Sequence, residues 1–187
     1  MQQSVKTPQG EPVVLSDIET IRKRARQDIE AGAVTPSYGA NPQEIIRLLN
    51  DALATEIVCY LRYKRHYFMA DGIHADAVAA EFQEHATQEQ EHADQIAERI
   101  VQLGGAPDFA PDSLTSRSHA QYVEGTSLGD MIRENLVAER IAIESYREIA
   151  QYIGDRDPTT RRLMEEILAT EEEHADDLVS LMHGMKD

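Results

Sequence analysis

Apolar residues recur in steps of three and four along four long stretches, the spacing of one face of an α-helix. Ile45, Leu49, Ala52, Glu56, Cys59 and Tyr63 form the first stripe, and Phe82, Glu89, His92, Ile96, Ile100 and Leu103 the second. Ile132, Leu136, Glu139, Ile143, Tyr146, Ala150 and Ile153 form the third, and Leu163, Ile167, Glu171, His174, Leu178 and Leu181 the fourth. Caps and breakers set the ends. Asn41-Pro42-Gln43-Glu44 offers a cap, a first-turn proline and an acid at the positive helix end, so the first long helix runs over 42–70. Asp71-Gly72 breaks it, and a second helix over 74–102 ends at Gly104-Gly105. Ser127-x-x-Asp130 starts a third helix that runs to Ile153, where Gly154 stops it, and Asp157-Pro158 opens a fourth over 158–182.

Gly104, Gly105, Pro107, Pro111 and Gly125 make 104–126 a crossover rather than a helix. The connections are therefore short, long, short. A short one joins antiparallel neighbours, while the long one lets the second and third helices run parallel. The expectation is an all-α chain, an antiparallel four-helix bundle over 41–187 with one long crossover, and no strand pattern competes. Residues 1–40 read as an N-terminal extension, punctuated by Pro8, Pro12, Gly32, Pro36 and Gly39. It carries a short helix over 16–31 that starts at the capping box Ser16-x-x-Glu19.

The polar residues that interrupt the stripes carry the chemistry. Leu53-x-x-Glu56 of the first stripe returns as Leu136-x-x-Glu139 in the third, and each Glu is followed two turns later by a tyrosine, Tyr63 and Tyr146. Glu89-Gln90-Glu91-His92-Ala93-Asp94 of the second returns as Glu171-Glu172-Glu173-His174-Ala175-Asp176 in the fourth, at nearly the same offset. A helical hairpin is thus used twice, and each copy supplies one lone Glu and one Glu-x-x-His. All four Glu fall on core-facing stripes. An ionised carboxylate is costly to bury unpaired, so four together must take up protons or bind cations. Two divalent ions balance four carboxylates with both His neutral. Carboxylate oxygens with imidazole suit iron or manganese.

Taken in order, LLNDALATEI, EQEHADQIAERI, AERIAIESYREI and EEILATEEEHADDL resemble the four helix motifs of bacterioferritins and Dps-like ferritins, over about residues 42–182. The resemblance implies a ferritin-like bundle with a di-iron carboxylate centre, one Glu from each of two helices and a Glu-x-x-His from each of the others. It implies that Glu89 and Glu171 bridge the two metals, that Glu56 with His92 and Glu139 with His174 complete one ion each, and that Tyr63 stands near the centre. The implied activity is a ferroxidase, which oxidises Fe2+ to Fe3+ with O2 or H2O2 and stores the product in a protein shell. Two departures matter. Bacterioferritins hold haem through a Met directly after the second helix's bridging Glu, and this chain has Gln90 there, so no haem is expected. The stretch after His174, from Ala175 to Asp187, has room to finish the fourth helix but not for the fifth helix of 24-subunit cages, so the expected homo-oligomer is a dodecamer.

A formal net charge of −16 would repel phosphate backbones, so DNA is not an expected partner even though Arg22-Lys23-Arg24-Ala25-Arg26 resembles the basic tails of some Dps proteins. No window is apolar enough for a membrane span, no apolar run follows the first residues, and a single cysteine forms no internal disulfide, which together fit a cytoplasmic protein. Cys59 reads as core packing, and Tyr63 and Tyr146 as space-filling core residues with one hydrogen bond each. His85, two turns before His92, can stand behind the metal ligands; His66, His74, His119 and His183 read as ordinary surface or loop residues. Rival functions are a manganese catalase, a rubrerythrin-like peroxidase, for which the usual four-Cys iron site is missing, and a non-enzymatic DNA-protecting shell.

Overall fold

The computed structural model describes residues 4–6, 12–73 and 75–184, which fall into two compact units, Met1–Tyr38 and Gly39–Asp187. In the first unit, β1 (Ser4–Lys6) and β2 (Pro12–Val14) pair antiparallel with Val5 opposite Val13. Two three-residue strands are too short for alternation to show in a sequence. Helix α1 (Ile18–Arg24) is shorter than the expected 16–31, and a single 3-10 turn follows at Ile29–Ala31. Asp17, not Ser16, caps α1: its carboxylate accepts the Thr20 backbone N–H at 2.9 Å and the Thr20 hydroxyl at 2.8 Å. An ionised carboxylate with two donors in reach outcompetes a hydroxyl with one. Asp28, at φ +48°, leaves the right-handed helical region and separates the 3-10 turn from α1.

The second unit holds α2 (Pro42–Met69), α3 (Ala75–Gln102), a one-turn α4 (Leu114–Arg117), α5 (Leu128–Ile153) and α6 (Pro158–Gly184). Three of the long helices start on side-chain caps. Asn41 accepts from Gln43 N at 3.0 Å, Ser127 from Asp130 N at 3.2 Å and Asp157 from Thr160 N at 3.0 Å. The end of α3 is a left-handed Gly104 at φ +81°, and Gly105 passes so close to Ile46 that a Cβ there would lie 2.8 Å from its side chain.

Cross-helix bonds fix the directions. Lys64 and Gln83 meet, as do Glu56 and His92, so α2 and α3 are antiparallel. Tyr63 with Glu139 and Tyr146 with Glu56 make α2 and α5 antiparallel; Gln88 with His174 and Arg99 with Asp157 do the same for α3 and α6. Helices α3 and α5 therefore run parallel, as a long crossover allows. That crossover is pinned to α2: Arg117 donates to Asn50 O at 2.8 Å, Asp108 N donates to Asn50 Oδ1 at 2.8 Å, and Leu114 packs on Ala54 and Val58.

The first two stripes are buried throughout. In α5 and α6, Leu136, Ile143, Leu163 and Leu181 do not reach full burial, while Met131, Asn135, Ala138, Ala142, Ile149 and Met164 turn inward. The buried arcs of these helices are wider than a single i, i+3, i+4 line. No helix among the described residues is long and apolar enough to cross a membrane.

Candidate metal centre

The six side chains singled out by the repeat all face the middle of the bundle. Glu56 comes from α2, Glu89 and His92 from α3, Glu139 from α5, and Glu171 and His174 from α6, and every one is buried. The ligand atoms form two groups, Glu56, Glu89, His92 and Glu171 in one and Glu89, Glu139, Glu171 and His174 in the other, each with one atom per residue mutually within 4.8 Å. Glu89 and Glu171 belong to both. His92 Nδ1 lies 3.2 Å from Glu56 Oε2 and 3.1 Å from Glu171 Oε1. His174 Nδ1 lies 3.4 Å from Glu171 Oε2, 3.5 Å from Glu89 Oε1 and 3.8 Å from Glu139 Oε2.

The surrounding shell orients these groups. Tyr63 of α2 donates its hydroxyl to Glu139 Oε1 on α5, and Tyr146 of α5 donates to Glu56 Oε1 on α2. The two tyrosines therefore serve crosswise, each the carboxylate of the other half. His174 Nε2 donates to Gln88 Oε1 at 2.7 Å, which leaves Nδ1 turned toward the carboxylates. With those partners used, Glu89 Oε1, Glu139 Oε2, both Glu171 oxygens and His174 Nδ1 are buried without a hydrogen bond. Buried polar atoms are nearly always satisfied, so five orphans around one point fit ligands turned toward metal ions.

Without metal the cluster holds protons. Burial pushes the Glu89 and Glu171 carboxyls well above the usual range, helped by Glu171 beside the first and Glu56 beside the second. Burial also disfavours a charged His174, but the Glu139 and Glu171 carboxylates close to its Nδ1 outweigh it and raise its pKa. Glu139 feels the same burial, yet the neighbouring His174 and Glu171, with the Tyr63 hydroxyl, hold it down at about 2. His92 is raised against its own desolvation by Glu56.

Residues 46–186 match the ferritin-like domain family. The chain belongs to that family. The ferritin-like relatives include the bacterioferritin of Mycobacterium bovis, 30% identical over 148 residues that cover 76% of this chain and 86% of the relative. The DNA protection during starvation protein of Pyrococcus furiosus is 29% identical, over 73% of this chain and 75% of that protein. Among solved structures, the dodecameric thioferritin of Bacteroides fragilis, described as bacterioferritin-related, superposes with a TM-score of 0.76 at 33% identity, covering 79% of this chain and 89% of that one.

Several residues around this ferritin-like centre were not legible from the sequence. Gln88 carries no motif, since its role depends on which turn of α6 passes opposite. Tyr63 and Tyr146 do have a signal, the shared position two turns after Glu, and their core hydrogen bonds prove to reach the carboxylates. His66 is not a surface residue. It is fully buried, with Nδ1 3.2 Å from Asn135 Oδ1 and Nε2 3.1 Å from Glu124 O, beside Arg62, whose Nε donates to the same Asn135 oxygen at 2.8 Å. Cys59 is buried, and burial pushes its thiol well up, as for packing. His183 and, in the crossover, His119 are exposed as expected, and His74 lies outside the described residues.

Proposed function

We propose that this ferritin-like chain is an iron-storage ferroxidase working at an intra-bundle two-metal centre built by Glu56, Glu89, His92, Glu139, Glu171 and His174. The observation that carries the reading is the set of five buried, hydrogen-bond-free ligand atoms shared between two overlapping groups. Glu89 and Glu171, common to both groups, are the bridging pair in this reading; Glu56 with His92 and Glu139 with His174 complete one ion each. Carboxylates and imidazoles in this ratio suit Fe2+. Fe2+ is the substrate: two ions give up one electron each, and these with two protons convert O2 to H2O2, or H2O2 to two waters.

The chain's own part is to position and to hand over protons. Tyr146 and Tyr63 pin one oxygen each of Glu56 and Glu139, which leaves the other oxygen for metal. Gln88 keeps His174 Nδ1 directed inward. Glu89 and Glu171, protonated while no metal is bound, release those protons as the ions arrive. No haem enters this reading, since Gln90 is exposed and offers no thioether. The likeness to a dodecameric thioferritin supports a shell of twelve copies around the stored Fe3+.

Glu171→Ala tests the centre. It should abolish rapid Fe2+ oxidation, followed by stopped-flow absorbance, while circular dichroism still reports the helices; unchanged kinetics would sink the assignment. A manganese catalase on the same ligands is the second reading, favoured only by the metal-tolerant donor set. Elemental analysis of the purified protein separates the two.

A further inference from the structure

A third group of ligand types gathers outside the six. Glu81 and His85 lie one turn apart on α3, Asp177 projects from α6 opposite them, and one ligand atom from each falls within 4.8 Å of the others. His85 Nε2 is 3.2 Å from Glu81 Oε1 and 3.7 Å from Asp177 Oδ2. Two acids near each other on a surface would mean nothing alone. The independent observation is His85 itself: its side chain is 2% exposed, and its Nε2 makes no hydrogen bond.

The other ring nitrogen fixes the tautomer. Tyr63 gives its only hydroxyl hydrogen to Glu139, so it can meet His85 Nδ1, 3.1 Å away, only as an acceptor. In the neutral ring Nδ1 then carries the proton, and Nε2 presents a bare lone pair to two carboxylate oxygens. Three electron-pair donors converge with no N–H among them. An arrangement of that kind calls for a cation.

The internal repeat shows that the bundle does not require this trio for packing. In the register that lays His92 on His174, Leu163 and Ile167 stand where Glu81 and His85 do, and Gln95 stands where Asp177 does. Apolar side chains occupy the helix face there. Only one half trades them for ligands.

We propose that Glu81, His85 and Asp177 bind a third divalent first-row cation at the edge of the bundle, next to the two-metal centre and sharing no ligand with it. One imidazole and two carboxylates suit Fe2+, Mn2+, Co2+ or Zn2+. Glu81 and Asp177 are 30% and 46% exposed, so the outward side of the ion stays open to water and to exchange. The His85 ring lies flat against that of His174, with centroids 3.9 Å apart, which places the third ion one imidazole from a ligand of the centre.

The test uses Co2+ under anaerobic conditions on the full chain and on Glu81→Gln/Asp177→Asn, two partly exposed replacements of the same shape that keep the His85 stack. Equilibrium dialysis should show the double variant holding one Co2+ fewer per subunit than the parent. Crystals of the parent should give an anomalous cobalt peak at bonding distance from His85 Nε2. Equal counts, with no such peak, would overturn the site. The central reading fails separately: a parent that binds Co2+ only at His85 supports this proposal and removes the other, whereas two ions in both proteins do the reverse. Should the variant not fold, the parent's peak decides alone.

Discussion

The shell around a metal ligand matters because a side chain that can rotate away holds an ion poorly. Gln88 accepts from His174 Nε2 at 2.7 Å, so Gln88→Leu should cost about ten- to a hundredfold in metal affinity, read by anaerobic titration, while circular dichroism of the metal-free protein still reports the helices. Protons provide a second check. Glu89, Glu171, His92 and His174 all have raised pKa values, so the metal-free fold binds more protons than the unfolded chain does. Their contribution is complete at acid pH and is lost as pH climbs past the ordinary glutamate value of 4.5 and the ordinary histidine value of 6.5 toward the raised ones. Glu139, held at about 2, and the buried His85 and His66, both lowered, oppose this, with contributions that fade as pH falls below 4.5 for the carboxyl and below 6.5 for the rings. Calorimetry on the metal-free protein should find a midpoint that drops between about pH 6.5 and about pH 8, and the iron-loaded protein should lack the drop; a flat metal-free profile would contradict the proton-loaded cluster. The six candidate ligands stand out in the sequence because each sits where a stripe should be apolar. Gln88 and the burial of His66 could not, because both depend on which turn of a neighbouring helix lies opposite.

Helix ends and helix faces were legible where local chemistry dictates them. Asn41, Ser127 and Asp157 cap the helices that their sequences announce. The exceptions come from tertiary context and from competing donors. Asp17 displaces Ser16 as a cap because Thr20 offers it two donors, and α4 forms inside a breaker-rich crossover because Leu114 has a buried place against Ala54 and Val58. One element carries more than its local role. Asp157 caps α6 and also takes Arg99 of α3 on both oxygens at 3.0 Å, while Arg99 Nε bonds the Thr160 hydroxyl at 2.8 Å. Arg99→Ala would take this cation away from a buried carboxylate, so a loss of about 3–5 kcal/mol is expected, seen as a lower denaturant midpoint at unchanged slope.

At the scale of the whole molecule, metal and fold are coupled through mass action. Ions that bind only the assembled bundle stabilise it by about 4 kcal/mol at a thousand times their dissociation constant, so chelation should lower the melting temperature and added Fe2+ under anaerobic conditions should restore it. Light scattering should find a closed particle of roughly twelve subunits; a monomer that retains iron oxidation would separate the chemistry from the shell. The crossed tyrosines have a wider bearing. Tyr63 answers to Glu139 and Tyr146 to Glu56, so neither hairpin carries a finished half of the site, although both repeat the same Glu, Tyr and Glu-x-x-His positions. In the proposed two-metal reading, metal capture is then a proofreading step on assembly: a chain whose hairpins have not docked in register has no place for iron, and only correctly joined copies gain the added stability that bound ions confer.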